Sequence, residues 1–256
     1  MSGDGEMGVL SLPISSHLPI PFRSNARVPM HELELHPPGA HPKSAIRNPQ
    51  FDILGSLVLA ESKLSDFLEA VAAKTPTPGG GSVSAAVGAL GAALGVMAAR
   101  FSVHPEAERA LDDVKKALLA VVDQDAEAYG QVNSAMALPK STEEEKKRRK
   151  EALQIALSEA AEVPLKGMTL AASGLRSLAG LAPACNRHLV SDLVGAATFL
   201  EAALQGCGEN VKVNAASLVD KAKRERLESE HARLSSEAGA LRQQAVTAAR
   251  KVQVAK

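Results

Sequence analysis

Aromatic residues are scarce in this 256-residue chain, which has no Trp, one Tyr and five Phe. Strands draw on aromatic and β-branched side chains, so an Ala- and Leu-rich background with so few aromatics excludes an all-β sandwich or barrel and favours helix. Cysteine is rarer still. Cys185 and Cys207 are too few to frame a secreted disulfide scaffold, and no Cys-x-x-Cys pair offers zinc ligands, so a reducing, cytoplasmic compartment is expected. An excess of either charge is missing too: 29 Lys and Arg balance 29 Asp and Glu, leaving no net field to condense on nucleic acid or an anionic membrane. The longest apolar stretch, Val83 to Ala99, falls short of the ~20 residues a bilayer needs and ends at Arg100. Gly91 and Gly95 space it as small-xxx-small, which predicts a helix packed closely on its neighbours, not a membrane span. The opening Met-Ser-Gly-Asp-Gly-Glu-Met has neither the basic start nor the apolar run of an export signal.

What is present is apolar content of 45%, ample for a core, arranged with helical period. Residues 1–56 hold many of the prolines and no sustained period, and read as an irregular extension. His31, His36 and His41 lie among prolines there and are read as solvated, not as metal ligands. Residues 57–256 read as one helical domain, an all-α bundle of long antiparallel helices that oligomerises through helix faces. Its first helix sets Leu57, Leu64, Phe67, Leu68 and Val71 on one face, with Ser56 or Ser62 as cap. Lys74 to Ser82 breaks that helix and feeds a long Gly/Ala helix. The next helix is predicted from about Pro105 to Ala137. A capping box of Ser141 and Glu144 opens another, Glu143 to Lys150 being its solvated charged face, and Pro164 and Pro183 punctuate the later helical stretches. A further Ala/Leu helix runs to about Gln205. A stripe of Leu227, His231, Leu234, Ala238, Leu241, Ala245, Ala248 and Val252 at alternating four and three marks a C-terminal pairing helix, in which His231 reads as a packed residue.

One position breaks the pattern. The stripe Leu111, Val114, Leu118, Val121, Asp125, Ala128, Val132, Ala135 places a carboxylate where the period asks for an apolar side chain. Asp123 lies about 200° round the helix and points elsewhere. Burial would raise the pKa of Asp125 toward the range useful for proton transfer; the plain alternative is a buried Asp satisfied by a neighbouring helix. Two other features carry polar chemistry. The Gly79-Gly80-Gly81-Ser82 turn at a helix start presents backbone N–H groups to an anion, but it lacks the Lys of a phosphate-binding loop and a preceding strand. The cluster of Asn186, Ser191 and Asp192, with Asn210 and Asn214 farther on, reads on the residues alone as turn and cap residues before it reads as a site. Cys185 and Cys207 have no recognisable nucleophile-and-base setting, and Cys207, at an Ala/Gly-rich helix end, reads as a packing residue.

These words of sequence resemble a known family. Thr77-Pro78-Gly79-Gly80-Gly81-Ser82 before a Gly/Ala helix, Asp123-Gln124-Asp125-Ala126-Glu127-Ala128-Tyr129, Leu138-Pro139-Lys140, Asn186 with Ser191-Asp192, and Asn210-Val211 with Asn214 are similar, in order, to the formiminotransferase-cyclodeaminase C-terminal family over roughly residues 60–220. The resemblance implies an all-helical domain assembling at least as a homodimer, a folate substrate, and no metal or cofactor beyond tetrahydrofolate. It implies closure of 5-formiminotetrahydrofolate to 5,10-methenyltetrahydrofolate with release of ammonia, a step of histidine degradation. The alternatives are hydrolysis of the methenyl compound, or a non-catalytic folate-binding helical assembly. Asp125 would move the protons. Asn186 and Asp192 would orient the pterin or the leaving amine, with Ser191 and Asn210 also lining the site, and Gly79 to Ser82 would hold an anionic part of folate. Residues 1–56 are too few for a formiminotransferase half, so a separate formiminotransferase is the expected partner. Where many relatives have Gly-Asn-Pro-Asn, this chain has Cys185-Asn186-Arg187-His188, which puts His188 in place of the second Asn.

Overall fold

A computed structural model describes residues 58–254; the expected extension over residues 1–56, with its three histidines, and Leu57 lie outside the described residues. Six α-helices follow in order: α1 (Leu64–Ala72), α2 (Gly80–Phe101), α3 (Pro105–Ala137), α4 (Glu143–Leu181), α5 (Val190–Ala216) and α6 (Lys221–Val254). There is no strand among the described residues. Short connections force successive long helices antiparallel, and α2, α3, α4 and α5 close a four-helix bundle in which each packs on two neighbours. Helix α6 lies in the outer groove between α4 and α5.

The ends of these helices have local causes. Pro105 opens α3 at a position needing no N–H, and the preceding His104 accepts the Ala107 N–H at Nδ1. Helix α4 opens on a capping box one residue later than expected: Thr142 Oγ1 accepts from the Glu145 N–H at 3.1 Å, and Glu145 Oε2 accepts from the Thr142 N–H at 3.0 Å. The expected pair of Ser141 and Glu144 is thereby replaced, although the Ser141 N–H also donates to Glu145. Ser62 does not cap α1. Its hydroxyl donates to the Leu59 carbonyl in the short turn Leu59–Glu61, and Lys63 precedes the helix without a side-chain cap.

Pro164 is expected from sequence to interrupt a helix, yet α4 runs unbroken through it. A proline lacks the N–H that would reach the carbonyl four residues back, leaving the Ala160 oxygen without its helical donor. Asn214 of α5 supplies the replacement, its Nδ2 donating to that oxygen at 2.6 Å. Truncating Asn214 to Ala should therefore cost about 1–3 kcal/mol, the penalty for an orphaned buried acceptor. Adding Pro164→Ala restores an N–H at 164 and should return most of the loss in urea melts; a double variant no more stable than the single would show that Asn214 has another role.

The α2 helix is long and apolar enough to cross a membrane, but it forms a wall of the bundle between α3 and α5. Its small residues set the spacing: a side chain on Gly91 would lie 3.0 Å from the Ala196 carbonyl oxygen of α5. The C-terminal stripe is consumed within the chain. Leu227, Leu234, Ala238 and Ala245 are buried in the main core, and His231 packs on Gly208 of α5. That stripe is thus occupied by α4 and α5, and Arg176 of α4 ties it down through two 2.7 Å bonds to Glu237.

Candidate functional site

The anomalous carboxylate of α3 meets the first turn of α2. Oδ2 of Asp125 accepts the Ser82 backbone N–H at 2.8 Å and lies 3.0 Å from Ser82 Oγ. Ser82 is fully buried, and its hydroxyl also lies 2.9 Å from the Val122 carbonyl oxygen. The one hydroxyl proton thus has two acceptors. When Asp125 is ionised, the proton points at the carboxylate; when Asp125 is protonated, it turns to Val122 and Ser82 Oγ accepts from the acid. Ser82 can serve both protonation states without moving.

Gly81 makes this approach possible. A Cβ there would sit 2.1 Å from Asp125 Oδ1, so the carboxylate occupies the space a side chain would fill. Gly79 caps α2 with extended backbone, and the N–H groups of Gly80 and Gly81 lie in the first turn, where no helical acceptor exists. One of the N–H groups expected to hold an anionic ligand, that of Ser82, is spent on Asp125 instead. Asn210 of α5 closes the far side: its Nδ2 donates to the Gly206 carbonyl at 3.0 Å and lies 3.4 Å from where a Gly80 side chain would begin. Gly79, Gly80, Gly81, Ser82, Asp125 and Asn210 therefore converge.

Burial pushes the pKa of Asp125 up, and the two hydrogen bonds from Ser82 pull against it. Oδ1 accepts no hydrogen bond among the described residues, and the side chain is only part-buried, so one oxygen is anchored and the other is free. Cys207 packs beside Gly167, its thiol pushed up to about 12 by burial and by the charge of Asp125; it stays a thiol, as its packing role requires. Asp123 points elsewhere as expected, accepting the Leu59 N–H at 2.6 Å and so pinning the Leu59–Glu61 turn to α3. A groove of about 680 Å³ between α3 and α4, lined by Gln124, Glu127 and Lys166 among others, has no signature along the chain. Lys166 Nζ donates to Gln124 Oε1 across it at 3.1 Å, a pairing that no spacing within one helix would reveal.

Asn186, Ser191 and Asp192 do not join this cluster. Asn186 is anchored at the last turn of α2, its N–H donating to Ser102 Oγ at 2.9 Å and its Nδ2 to the Phe101 carbonyl at 3.4 Å. Its Oδ1 accepts the His188 N–H at 3.0 Å and opens the turn Arg187–Leu189, while Ser191 and Asp192 start α5. Twenty residues of α2 separate this group from Gly81, about 30 Å at 1.5 Å per residue. Within one chain, Asn186 and Asp192 cannot orient a substrate whose reacting carbon lies at Asp125.

A carboxylate at a Gly-Gly-Ser helix start in a bundle of long helices is shared with a known family. The pattern of the formiminotransferase-cyclodeaminase family matches residues 63–233. The chain belongs to that family. It is 37% identical over 173 residues to the formimidoyltransferase-cyclodeaminase of Gallus gallus, covering 63% of this chain and 32% of that one. It is 34% identical over 189 residues to the methenyltetrahydrofolate cyclohydrolase of Methylorubrum extorquens, covering 70% of this chain and 91% of that one. The crystal structure of formiminotetrahydrofolate cyclodeaminase from Thermotoga maritima superposes with a TM-score of 0.66 at 30% identity, over 75% of this chain and 98% of the other. The chain spans about a third of the length of the animal formimidoyltransferase-cyclodeaminases it matches. Family membership covers α1 to α5 and the first part of α6, and every converging residue of the Asp125 cluster lies inside it.

Proposed function

We propose that this chain is a formimidoyltetrahydrofolate cyclodeaminase in which Asp125 moves the protons. The observation that carries the reading is the carboxylate held by Ser82 through one oxygen, with the other oxygen free and the pKa raised. N10 of the folate attacks the carbon of the formimino group, whose terminal nitrogen is protonated, and Asp125 takes the N10 proton as the C–N10 bond forms. The same proton passes to the nitrogen of the tetrahedral aminal. The bond from carbon to that nitrogen breaks, ammonia leaves, and the methenyl cation and the carboxylate remain. The Gly80 and Gly81 N–H groups face the substrate beside Asp125, and Asn210 borders it. No metal or further cofactor enters this scheme, the chain acts as a homodimer, and a separate formiminotransferase supplies the formimino group.

Hydrolysis of 5,10-methenyltetrahydrofolate is the second reading, favoured by the match along nearly the whole of a bacterial cyclohydrolase. There Asp125 takes a proton from the water that attacks the methenyl carbon and returns it to N5 as the C–N5 bond breaks, the remaining hydroxyl proton passing to solvent and a formyl group staying on N10. Purified protein given 5-formiminotetrahydrofolate, with methenyl absorbance and ammonia followed together, should form both; loss of absorbance from preformed methenyltetrahydrofolate alone would establish hydrolysis instead. Silence with both substrates would leave folate binding without turnover.

Ser82→Ala tests the pairing itself. The hydroxyl stabilises the charged form of Asp125, so its loss raises the carboxyl pKa further and moves the acidic limb of the kcat/KM profile to higher pH. An unmoved limb would detach Asp125 from that limb.

A further inference from the structure

Tyr129 ends the block of sequence that carries Asp125, and the fold leaves it open to solvent. The two side chains are four residues apart on α3, which sets them on one face with Cβ atoms about 5–6 Å apart. Helical side chains lean towards the N-terminus of their helix, so the Tyr129 ring leans back over the turn that carries Asp125. Helix α2 runs antiparallel to α3 and has Gly81, in its first turn, level with Asp125. One turn farther along α3 is therefore one turn before α2 begins, and α2 does not reach Tyr129. The residue is 40% exposed, although its neighbour Ala128 is buried. The other aromatic side chains among the described residues are placed elsewhere. Phe67 packs on the smaller core, Phe199 lies against Gly91 at mid-α2, and Phe101 ends α2. A flat, half-open ring one turn from the acid–base group is a surface for a second flat ring.

The chemistry of the reaction says which ring that is. Asp125 exchanges a proton with N10, so N10 lies within hydrogen-bond reach of the carboxylate, about 3 Å. N10 is bonded directly to the benzene ring of the p-aminobenzoyl group, which therefore lies within reach of the next turn of α3. The pterin is held off from N10 by a methylene carbon, and its ring that carries N5 is saturated, so it is the poorer match to a tyrosine face. Resting on the folate reading above, we propose that Tyr129 holds the p-aminobenzoyl ring of the folate by stacking on it, a binding contact beside the Asp125 cluster that places N10 at the carboxylate.

Tyr129 is the single tyrosine of the chain, so isotope-labelled tyrosine gives one set of ring signals in the full-length protein. On titration with 5-formyltetrahydrofolate, a stable analogue that keeps the p-aminobenzoyl ring, those signals should move upfield and show cross-relaxation to the benzoyl protons. Saturable binding with unmoved tyrosine signals, or cross-relaxation to pterin protons alone, would overturn the stacking. Kinetics supply a second readout. The contact is made equally in the ground state and the transition state, so Tyr129→Leu should raise KM about 2- to 10-fold with kcat nearly unchanged. The dissociation constant of 5-formyltetrahydrofolate should rise by the same factor. Tyr129→Phe keeps the ring and should match the wild type. An unchanged KM in Tyr129→Leu refutes the proposal, as does equal damage from Leu and Phe, which would make the hydroxyl the group that matters. If the wild type bound no 5-formyltetrahydrofolate and turned over neither folate, the folate reading itself would fail and the stacking with it; binding and turnover without the tyrosine shift would remove the stacking alone.

Discussion

Asp125→Asn should lower turnover by about 10²–10⁴-fold, the worth of a positioned acid–base group, while leaving helicity and assembly unchanged. Asn keeps the shape, and its amide oxygen can still accept the Ser82 N–H that anchors the native carboxylate. What it cannot do is take a proton from N10 and return it to the leaving nitrogen. The same change should raise stability at neutral pH. Burial lifts the folded-state pKa of Asp125 above its ordinary value of 3.8. Between the unfolded and folded pKa values the native state binds more protons than the unfolded one, so stability falls as pH rises through that window. The neutral amide does not carry this cost. The melting temperature of the variant should therefore exceed that of the wild type near pH 7, and the gap should close below the unfolded pKa, where both side chains are neutral. A variant that loses turnover and melts lower at every pH would show Asp125 to be structural, the plain alternative that its sequence pattern leaves open.

Gly81→Ala should be nearly as damaging, for a steric reason. In a helix, Ala is worth up to about 1 kcal/mol more than Gly, so propensity alone predicts a more stable protein. The added Cβ would lie 2.1 Å from Asp125 Oδ1 and 2.5 Å from its Cγ, closer than atoms can approach. Either Asp125 rotates off Ser82 or the start of α2 lifts from α3, and in both cases the hydrogen bonds that hold Oδ2 to Ser82 are lost. We expect kcat/KM to fall by about 10²-fold or more, the effect of a misplacement near 1 Å, with a lower melting temperature despite the better helix former. Gly130, whose added Cβ meets nothing within 4 Å, is the control: Gly130→Ala should stabilise α3 and leave activity intact. If Gly81→Ala behaved like Gly130→Ala, the close approach of α2 to Asp125 would not be needed.

These two positions also divide what could be read along the chain from what could not. The period of α3 is local, since 3.6 residues per turn puts positions three and four apart on one face, and it exposed Asp125 as a carboxylate on an apolar stripe. The bounds of α3 followed in the same way from Pro105 and from Leu138-Pro139, and the opposite aim of Asp123 from its angle round the helix. Composition was enough for the all-α class, and the ordered blocks from Thr77 to Asn214 were enough for the family. Tertiary structure alone decided the partners. Ser82 and Asp125 are 43 residues apart, and nothing in either helix states that they share a hydrogen bond. The passage of α4 through Pro164 depends on Asn214, which lies on another helix. The family resemblance implies one site for Asn186, Asp192 and Asp125, whereas the antiparallel packing of α2 on α5 places the first two at the other end of a 22-residue helix. A helical period states which face of a helix is apolar; which helix covers that face, in which direction and at what height, is set by how all of the faces close on one another.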